Sequence, residues 1–502
     1  MSRRICDTSL TKYDIVKDVL KSRNYVQCKP GAVDANWTLQ WIDTNVSVER
    51  ILDMTVGQKI NHFPGMESIC RKSRLARNLA RMHRLFPDDY SFTPRTYRVP
   101  SDLASLTLAI KSNTTKTFIA KPDAGCQGKG IQLFSDEEGF KLAMERASSF
   151  VSANISLDVP VPRGPILPSE VVVQEYIAKP CLLDGHKFDL RVYALVLSVN
   201  PLLIYVHKDG LARLAAKKYV QPSKENFSHV TMHLTNYAVN KDDPTFVAAS
   251  KDELEGGKRS MSSVLDWIRE QDTDASRDVW SQIKSVIVKT IVIAQPALEK
   301  TIAACRQRME TSTKQHSSSP CFEILGFDIM LDSKLKPWVL EVNHSPSFTC
   351  DSELDTRVKS AVIGDTLDLL DVPLLRHDSG TDLSASSPSA SGWEVAYPSH
   401  DKGVYDTFIS AASSILGSDT ELTKSRKAFR EAKEIERVEQ ETKAALIRER
   451  AKLLRASCTL GVAPARLVPL APVVIVREPP VRQARVAMKM ASIDLGDAFK
   501  FC

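Results

Sequence analysis

Residues 322–343 constrain the fold most. Two apolar runs flank a short polar stretch at 332–336, the pattern of an antiparallel hairpin. With the turn centred between Lys334 and Leu335, Asp328 lies directly across the ladder from Glu341, and the two-residue period puts Asn343 on the same face as Glu341. Opposed carboxylates repel, so three converging oxygen ligands suit a cation between them, and an all-oxygen set suits Mg²⁺ with substrate phosphates completing the shell. A solvent-facing acidic hairpin is the alternative. The flanking Phe327, Ile329, Leu340 and Val342 weigh against a wholly exposed one.

The chain has 502 residues, 43% hydrophobic and 25% charged, enough for a large core and two to four domains and unlike a disordered or fibrous protein. No apolar run reaches the roughly 18 to 20 residues that span a bilayer, and the N-terminus lacks the apolar core of a secretory signal, so a soluble intracellular protein is expected. Ten cysteines without a CxxC pair read as reduced structural thiols, not as disulfides or a zinc site. The net charge of +6 is the residual of 67 basic and 61 acidic residues and is informative only where it is located.

Strand patterns fall at 116–131, 171–177, 191–205 and 322–342, and helical patterns at 71–85, 136–147 and 279–309. Their irregular alternation, with hairpins, predicts an α+β fold. Polar, proline-containing or glycine-containing stretches at 152–169 and 240–261 read as surface excursions. Near residue 375 the chain turns Ser-rich, which predicts a linker over 376–417. Residues 418–457 read as a solvated, net basic helix, and 458–502 as a mostly disordered tail.

Two further segments carry chemistry. In 116–131 a strand ends in Lys121 and enters a glycine-rich loop, KPDAGCQGKGI, where backbone N–H groups can approach phosphate while Lys121 and Lys129 neutralise charge; a plain hairpin turn fits equally. The spacing matches neither a GxxxxGK[ST] phosphate loop nor a dinucleotide GxGxxG. The second is the strand VVVQEYI at 171–177, followed by KFDLR at 187–191, which alternates Lys187, Asp189 and Arg191 onto one strand face. Such a strand end can read an adenine edge and such a face can contact phosphate and ribose, and a salt-bridged strand face fits equally. The same choice applies to Arg213 and to HLTNY at 233–237.

Taken together, NHFPGM at 61–66, RKSRLARN at 71–78, the 121–131 loop, QEYI at 174–177, KFDLR at 187–191, HLTNY at 233–237 and EVNHSPSF at 341–348 resemble the tubulin tyrosine ligase-like family, nearest its polyglutamylase branch. The resemblance spans about residues 30–365. It implies an ATP-grasp-like core: an N-terminal domain over 1–105, a central subdomain over 106–178 and a C-terminal subdomain with the metal site over 179–375, with nucleotide between the last two. Lys121, Gln127, Gly128, Lys129, Gly130, Ile131, Gln174, Glu175, Tyr176, Ile177, Lys187, Phe188, Asp189, Thr235 and Asn236 would cradle ATP, with Lys72 also near its phosphates. Asp328, Glu341 and Asn343 become Mg²⁺ ligands, in agreement with the hairpin. Arg213, Tyr237 and Lys359 would face the incoming glutamate, and Arg213 and Lys121 would be the catalytic cations.

The implied reaction is ATP-dependent carboxylate–amine ligation. A carboxylate on tubulin attacks the γ-phosphate to give an acyl phosphate, and the amino group of free L-glutamate displaces phosphate. The resemblance of Gln127 and His344 to members that lengthen existing chains implies elongation. The implied partners are tubulin C-terminal tails and microtubules, with neither nucleic acid nor membrane, for a monomer of the cytoplasm and cytoskeleton, extending to cilium, flagellum or basal body. The basic helix is expected to dock on acidic tails. A glycine or tyrosine ligase and a catalytically silent microtubule-binding scaffold stand as alternatives.

Overall fold

The computed structural model describes residues 4–28, 37–55, 57–112, 115–123, 128–153, 171–247, 256–271, 275–309, 319–370, 392–398 and 402–416. These residues fall within one unit of the chain. They form a mixed α+β structure with three sheets.

The first sheet is parallel. β1 (Ile5–Leu10) leads into α1 (Asp14–Ser22), which buries Val16, Val19 and Leu20 at helical spacing. β2 (Val26–Gln27) and β3 (Leu39–Ile42) follow, then α2 (Val48–Leu52), capped by the Ser47 hydroxyl accepting from the Arg50 N–H, and β4 (Lys59–Ile60). The order is β2-β1-β3-β4. α3 (Glu67–Cys70) and α4 (Lys72–Leu85) come next, and α4 fills the helix predicted at 71–85, with Leu75, Leu79 and Met82 inward.

The second sheet is antiparallel, in the order β5-β8-β6-β7. Along the chain run β5 (Thr96–Val99), α5 (Leu103–Ser112), β6 (Phe118–Pro122), β7 (Gln132–Phe134), α6 (Glu137–Ala153) and β8 (Val171–Glu175). Leu106 and Ile110 of α5 and Ala143 and Ala147 of α6 pack on Phe118, Phe134 and Val173, covering one face. Its first strand precedes residue 106, where the central subdomain was expected to start. The strand pattern at 116–131 ends at Pro122: Gly128 and Gly130 have φ of 77° and 72°, a left-handed conformation a strand cannot use.

The third sheet has eight strands. After β9 (Leu182–Leu183), the long β10 (His186–Val199) forms its spine, with β11 (Leu202–His207) and β12 (Leu211–Lys218) sharing one edge. Short helices α7 (Val230–His233) and α8 (Tyr237–Asn240) lead to β13 (Lys258–Ser260), α9 (Met261–Gln271) and α10 (Ala275–Met309). β14 (Glu323–Leu331) takes the other edge of β10, and β15 (Pro337–Asn343) pairs with β14. Both faces are covered: Val192, Ala194 and Val196 of β10 pack with Ile287 and Ile291 of α10, while Tyr193 and Leu195 pack with Val358 and Val362 of α11 (Glu353–Leu370). This double burial explains why the strands read as continuous apolar runs and not as alternations.

The linker predicted over 376–417 requires correction. β16 (Trp393–Tyr397) pairs with β11 at the sheet edge, and α12 (Lys402–Leu416) buries Phe408 and Ala412 against the main core. Phe408 meets Phe86 edge-on at 4.9 Å and Tyr90 at 5.3 Å, so an aromatic cluster holds α12. The Ser-rich composition around 380–392 masked a short aromatic strand. The basic helix expected over 418–457 and the tail over 458–502 lie outside the described residues. No helix among the described residues is long and apolar enough to cross a membrane.

Candidate functional site

An open cleft, with about 810 Å³ of empty space when its solvent-filled mouth is included, is lined by β6, β8, β10, the 128–131 loop, the 233–236 segment and the β14–β15 hairpin. Lys121, the buried end of β6, donates to Gln174 Oε1 at 2.7 Å, and Gln174 Nε2 donates to Thr96 Oγ1 at 3.2 Å. Lys187, on β10, donates to Tyr176 Oη at 2.7 Å and to the His233 carbonyl at 2.8 Å. Burial pushes the Lys121 ammonium down to about 8 and the Lys187 ammonium down to about 7, the latter helped by its proximity to Lys121. Two such lysines in one pocket await an anion.

Gly128 brings the glycine-rich loop onto the 236–239 segment. A Cβ there would sit 2.6 Å from Val239 Cγ2 and 3.3 Å from Asn236 Oδ1, in a residue whose φ already favours glycine.

The acidic end is a charge network set by strand register. Asp189 pairs with Arg213 across β10 and β12, and Arg191 with Asp328 across β10 and β14. The Arg213 guanidinium donates to Asp189 at 2.8 and 2.5 Å and reaches Asp328 Oδ2 at 2.8 Å, while Arg191 Nε donates to Asp328 Oδ1 at 2.6 Å. Although burial opposes it, the Arg191 and Arg213 charges hold the Asp328 carboxyl well below the usual range. Gly326 makes room for this: a Cβ there would lie 3.2 Å from Arg191 Cδ and 2.9 Å from Pro346 Cβ.

Asp328 does face Glu341, and Gly326 faces Asn343. The turn is nevertheless displaced. Ile329 pairs with Val339, so Leu340 is an extra residue, a β-bulge that turns both Leu340 and Glu341 to the cavity. Two guanidinium groups already neutralise Asp328, so the facing carboxylates do not by themselves require a metal ion. A carboxylate offers about four lone-pair sites, so Asp328 retains acceptor capacity beyond both arginines. Glu341 contacts Lys72 at 3.4 Å, and Asn343 Nδ2 lies 3.4 Å from Glu341 Oε1. These hard oxygen donors fit a small divalent cation, with Glu341 more exposed than Asp328. No group of three His, Cys, Asp or Glu side chains gathers at metal-binding spacing among the described residues.

Of the residues singled out in the sequence, Lys72, Lys121, Gly128, Lys129, Ile131, Gln174, Glu175, Tyr176, Ile177, Lys187, Asp189, Thr235, Asn236, Asp328 and Glu341 line this one cavity. Gly130 sits beside it in the loop, and Gln127 lies outside the described residues. Phe188 turns the other way, buried at 1% exposure with the main core, because neighbouring strand residues face opposite sides. Arg213 joins the acidic end through Asp328. Tyr237 and Lys359 lie off the cavity lining: Lys359 Nζ donates to Asp355 Oδ1 at 2.6 Å, and Asp355 also accepts from Lys258, whose ammonium sits 3.8 Å above the Tyr237 ring. Lys258 pairs with Arg213 across β12 and β13, so this cluster continues the charge network.

Lys258 and Asp355 were missed, since GGKRS reads as a polar excursion; a lysine just after a Gly-Gly turn was the available signal. Also missed was the buried pair His62 and Glu323, 3.0 Å apart, beside His344, whose ring centroid is 5.8 Å from that of His62.

The model of the tubulin-tyrosine ligase family matches residues 50–379. Tubulin polyglutamylase TTLL13 of Mus musculus is 43% identical over 340 residues, 68% of this chain and 38% of that protein. Tubulin polyglutamylase TTLL6 of Homo sapiens is 41% identical over 372 residues, covering 74% and 37%. A probable beta-tubulin polyglutamylase of Tetrahymena thermophila is 40% identical over 365 residues, covering 72% and 28%. The chain thus spans well under half the length of these curated relatives.

Proposed function

The chain belongs to the tubulin-tyrosine ligase family, and on that premise we propose that it is an ATP-dependent tubulin polyglutamylase built on an ATP-grasp-like core. The observation that carries the proposal is the convergence of two buried lysines, a glycine-rich loop and the Asp328–Glu341 hairpin on one cavity. In this reading Lys121, Lys187, the 128–131 loop and the 174–177 strand end hold the nucleotide between subdomains over 106–178 and 179–375, behind an N-terminal domain over 1–105. Asp328, Glu341 and Asn343 would hold Mg²⁺, which supplies charge stabilisation to the phosphates. Arg213, with Tyr237 and Lys359, serves the incoming glutamate.

The chain's own residues have to bring two anions together, the acceptor carboxylate and the γ-phosphate. Lys121 and the Arg191–Arg213 pair offset their repulsion and the charge that builds up in phosphoryl transfer. The carboxylate oxygen forms a bond to phosphorus as ADP leaves. The glutamate nitrogen then attacks the acyl carbon, inorganic phosphate departs and the nitrogen loses its proton. No protein nucleophile takes part. Named relatives that are tubulin polyglutamylases favour glutamate over glycine or tyrosine as the added amino acid. Tubulin tails and microtubules are the proposed partners, and the cytoskeleton, including cilia, the proposed location.

Three outcomes follow here. The Lys187 ammonium, at about 7 in the free protein, is raised again when a polyphosphate binds beside it, so binding takes up protons. Calorimetry of ATP binding in buffers of different ionisation enthalpy should find proton uptake that grows from pH 6 to pH 8, with affinity falling as pH rises; uptake flat across that window contradicts the assignment.

Elongation is tested with paired tubulin-tail peptides, one with a branch glutamate and one without. Preferred turnover of the branched peptide is expected from His344 and Gln127, and equal turnover refutes it.

Docking by the basic stretch 418–457 is tested by truncation. The cut must follow Leu416, because removing α12 would unseat Phe408. Loss of 417–502 should raise the KM for microtubules and flatten its salt dependence, whereas unchanged kinetics remove the docking role.

A further inference from the structure

His233 is fully buried, and the nucleotide reading gives its side chain no task. Its neighbours define a directed chain of hydrogen bonds. An ammonium has three N–H donors and no acceptor, and Lys187 uses two of its donors on Tyr176 Oη and the His233 carbonyl. The third has no acceptor among the described hydrogen bonds; the ammonium lies 4.1 Å from the Tyr176 ring centroid and lines the cavity. Because the Tyr176 oxygen accepts from Lys187, its own hydrogen must point elsewhere, and His233 Nδ1 lies 3.1 Å away.

The far end of the chain fixes the same direction independently. Asn226 Nδ2 donates to the Gln221 carbonyl at 2.8 Å and Asn226 Oδ1 accepts the Ser223 N–H at 2.9 Å, so its amide orientation is set. Asn226 Oδ1 is 3.1 Å from His233 Nε2, which therefore carries the ring hydrogen. Nδ1 is then a bare acceptor. Tyr219 spends its hydroxyl hydrogen on the Ala178 carbonyl at 2.8 Å and supplies no competing donor; its oxygen also interacts with the Tyr176 hydroxyl, but the bare Nδ1 at 3.1 Å has no other donor among the described hydrogen bonds, which assigns it the Tyr176 hydrogen. Burial, together with the Lys187 charge, pushes the imidazole down to about 4, consistent with a neutral ring.

We propose that His233 and Asn226 are positioning residues for the nucleotide: through Tyr176 they hold the Lys187 ammonium with its remaining N–H available to the ligand. Asn226 is not part of the cavity lining. Nucleotide affinity is therefore set partly from the 220–229 loop. The inference rests on the reading of the cavity as the ATP site.

The test is equilibrium binding of ATP with Mg²⁺ to the full chain, comparing wild type, Asn226→Ala, Tyr176→Phe and the double variant. A lost hydrogen bond to a charged group predicts binding about 10-fold weaker for each single variant. In one relay the double variant loses no more than the worse single. In ligation assays of Asn226→Ala, whose site lies outside the cavity lining, the KM for ATP rises while kcat at saturating ATP stays within about twofold, a split that general loosening of the fold would not give. Wild-type affinity in Asn226→Ala, or losses that multiply to about 100-fold in the double variant, overturns the relay. Should Asn226→Ala fail to fold, the cycle of His233→Gln with Tyr176→Phe carries the same test. A wild-type chain that binds no ATP overturns the cavity reading itself, an outcome distinct from either.

Discussion

Arg213→Met is expected to destabilise the protein by about 3–5 kcal/mol and to abolish ligation, because it leaves buried carboxylates without their partner. Asp189 and Asp328 have side chains only 4% and 3% exposed, and both bond the Arg213 guanidinium. Asp328 keeps Arg191, but Asp189 keeps no other cation among the described ion pairs. Burial disfavours the guanidinium charge, yet the two carboxylates outweigh it and hold Arg213 firmly protonated. The double variant Arg213→Met with Asp189→Asn separates structure from chemistry. Removing both charges should restore much of the stability, since a buried pair adds little beyond a neutral replacement, while ligation stays lost. Denaturant unfolding and labelled-amino-acid incorporation on the same preparations check both halves. Recovery of activity along with stability would assign Arg213 a purely structural role.

Glu341→Gln should reduce turnover about a thousand-fold, a barrier increase of about 4 kcal/mol, with the fold unchanged. Glu341 is part-exposed in the cavity, and among the described residues its ion pair is the 3.4 Å contact to Lys72, so a neutral amide of the same shape costs little stability. What it removes is a negative oxygen from the set that would hold Mg²⁺. ATP binding should remain measurable and the unfolding midpoint should stay near that of wild type. Turnover within tenfold of wild type would remove Glu341 from the site.

The part of the site carried by local patterning was legible. The two-residue period placed Asp328 opposite Glu341, and a lysine before a glycine-rich loop marked Lys121. Two things were hidden for a physical reason. The bulge at Leu340 leaves the Asp328–Glu341 pair intact while moving the turn, so no local pattern betrays it. The arginines on Asp328 come from strands more than a hundred residues away in sequence, and only the order β12-β10-β14 brings them together. The same long-range pairing seats β16 on β11, which composition alone read as linker. Lys359 was legible as a cation but not as one already held by Asp355.

The most direct measurement incubates the full chain with microtubules, ATP, Mg²⁺ and labelled glutamate, glycine or tyrosine in parallel, with Glu341→Gln as control. The account predicts that glutamate alone enters tubulin, only with ATP, and that the variant adds it about a thousand-fold more slowly. Incorporation of glycine or tyrosine in its place, or of no amino acid at all by a chain that binds microtubules, would contradict it.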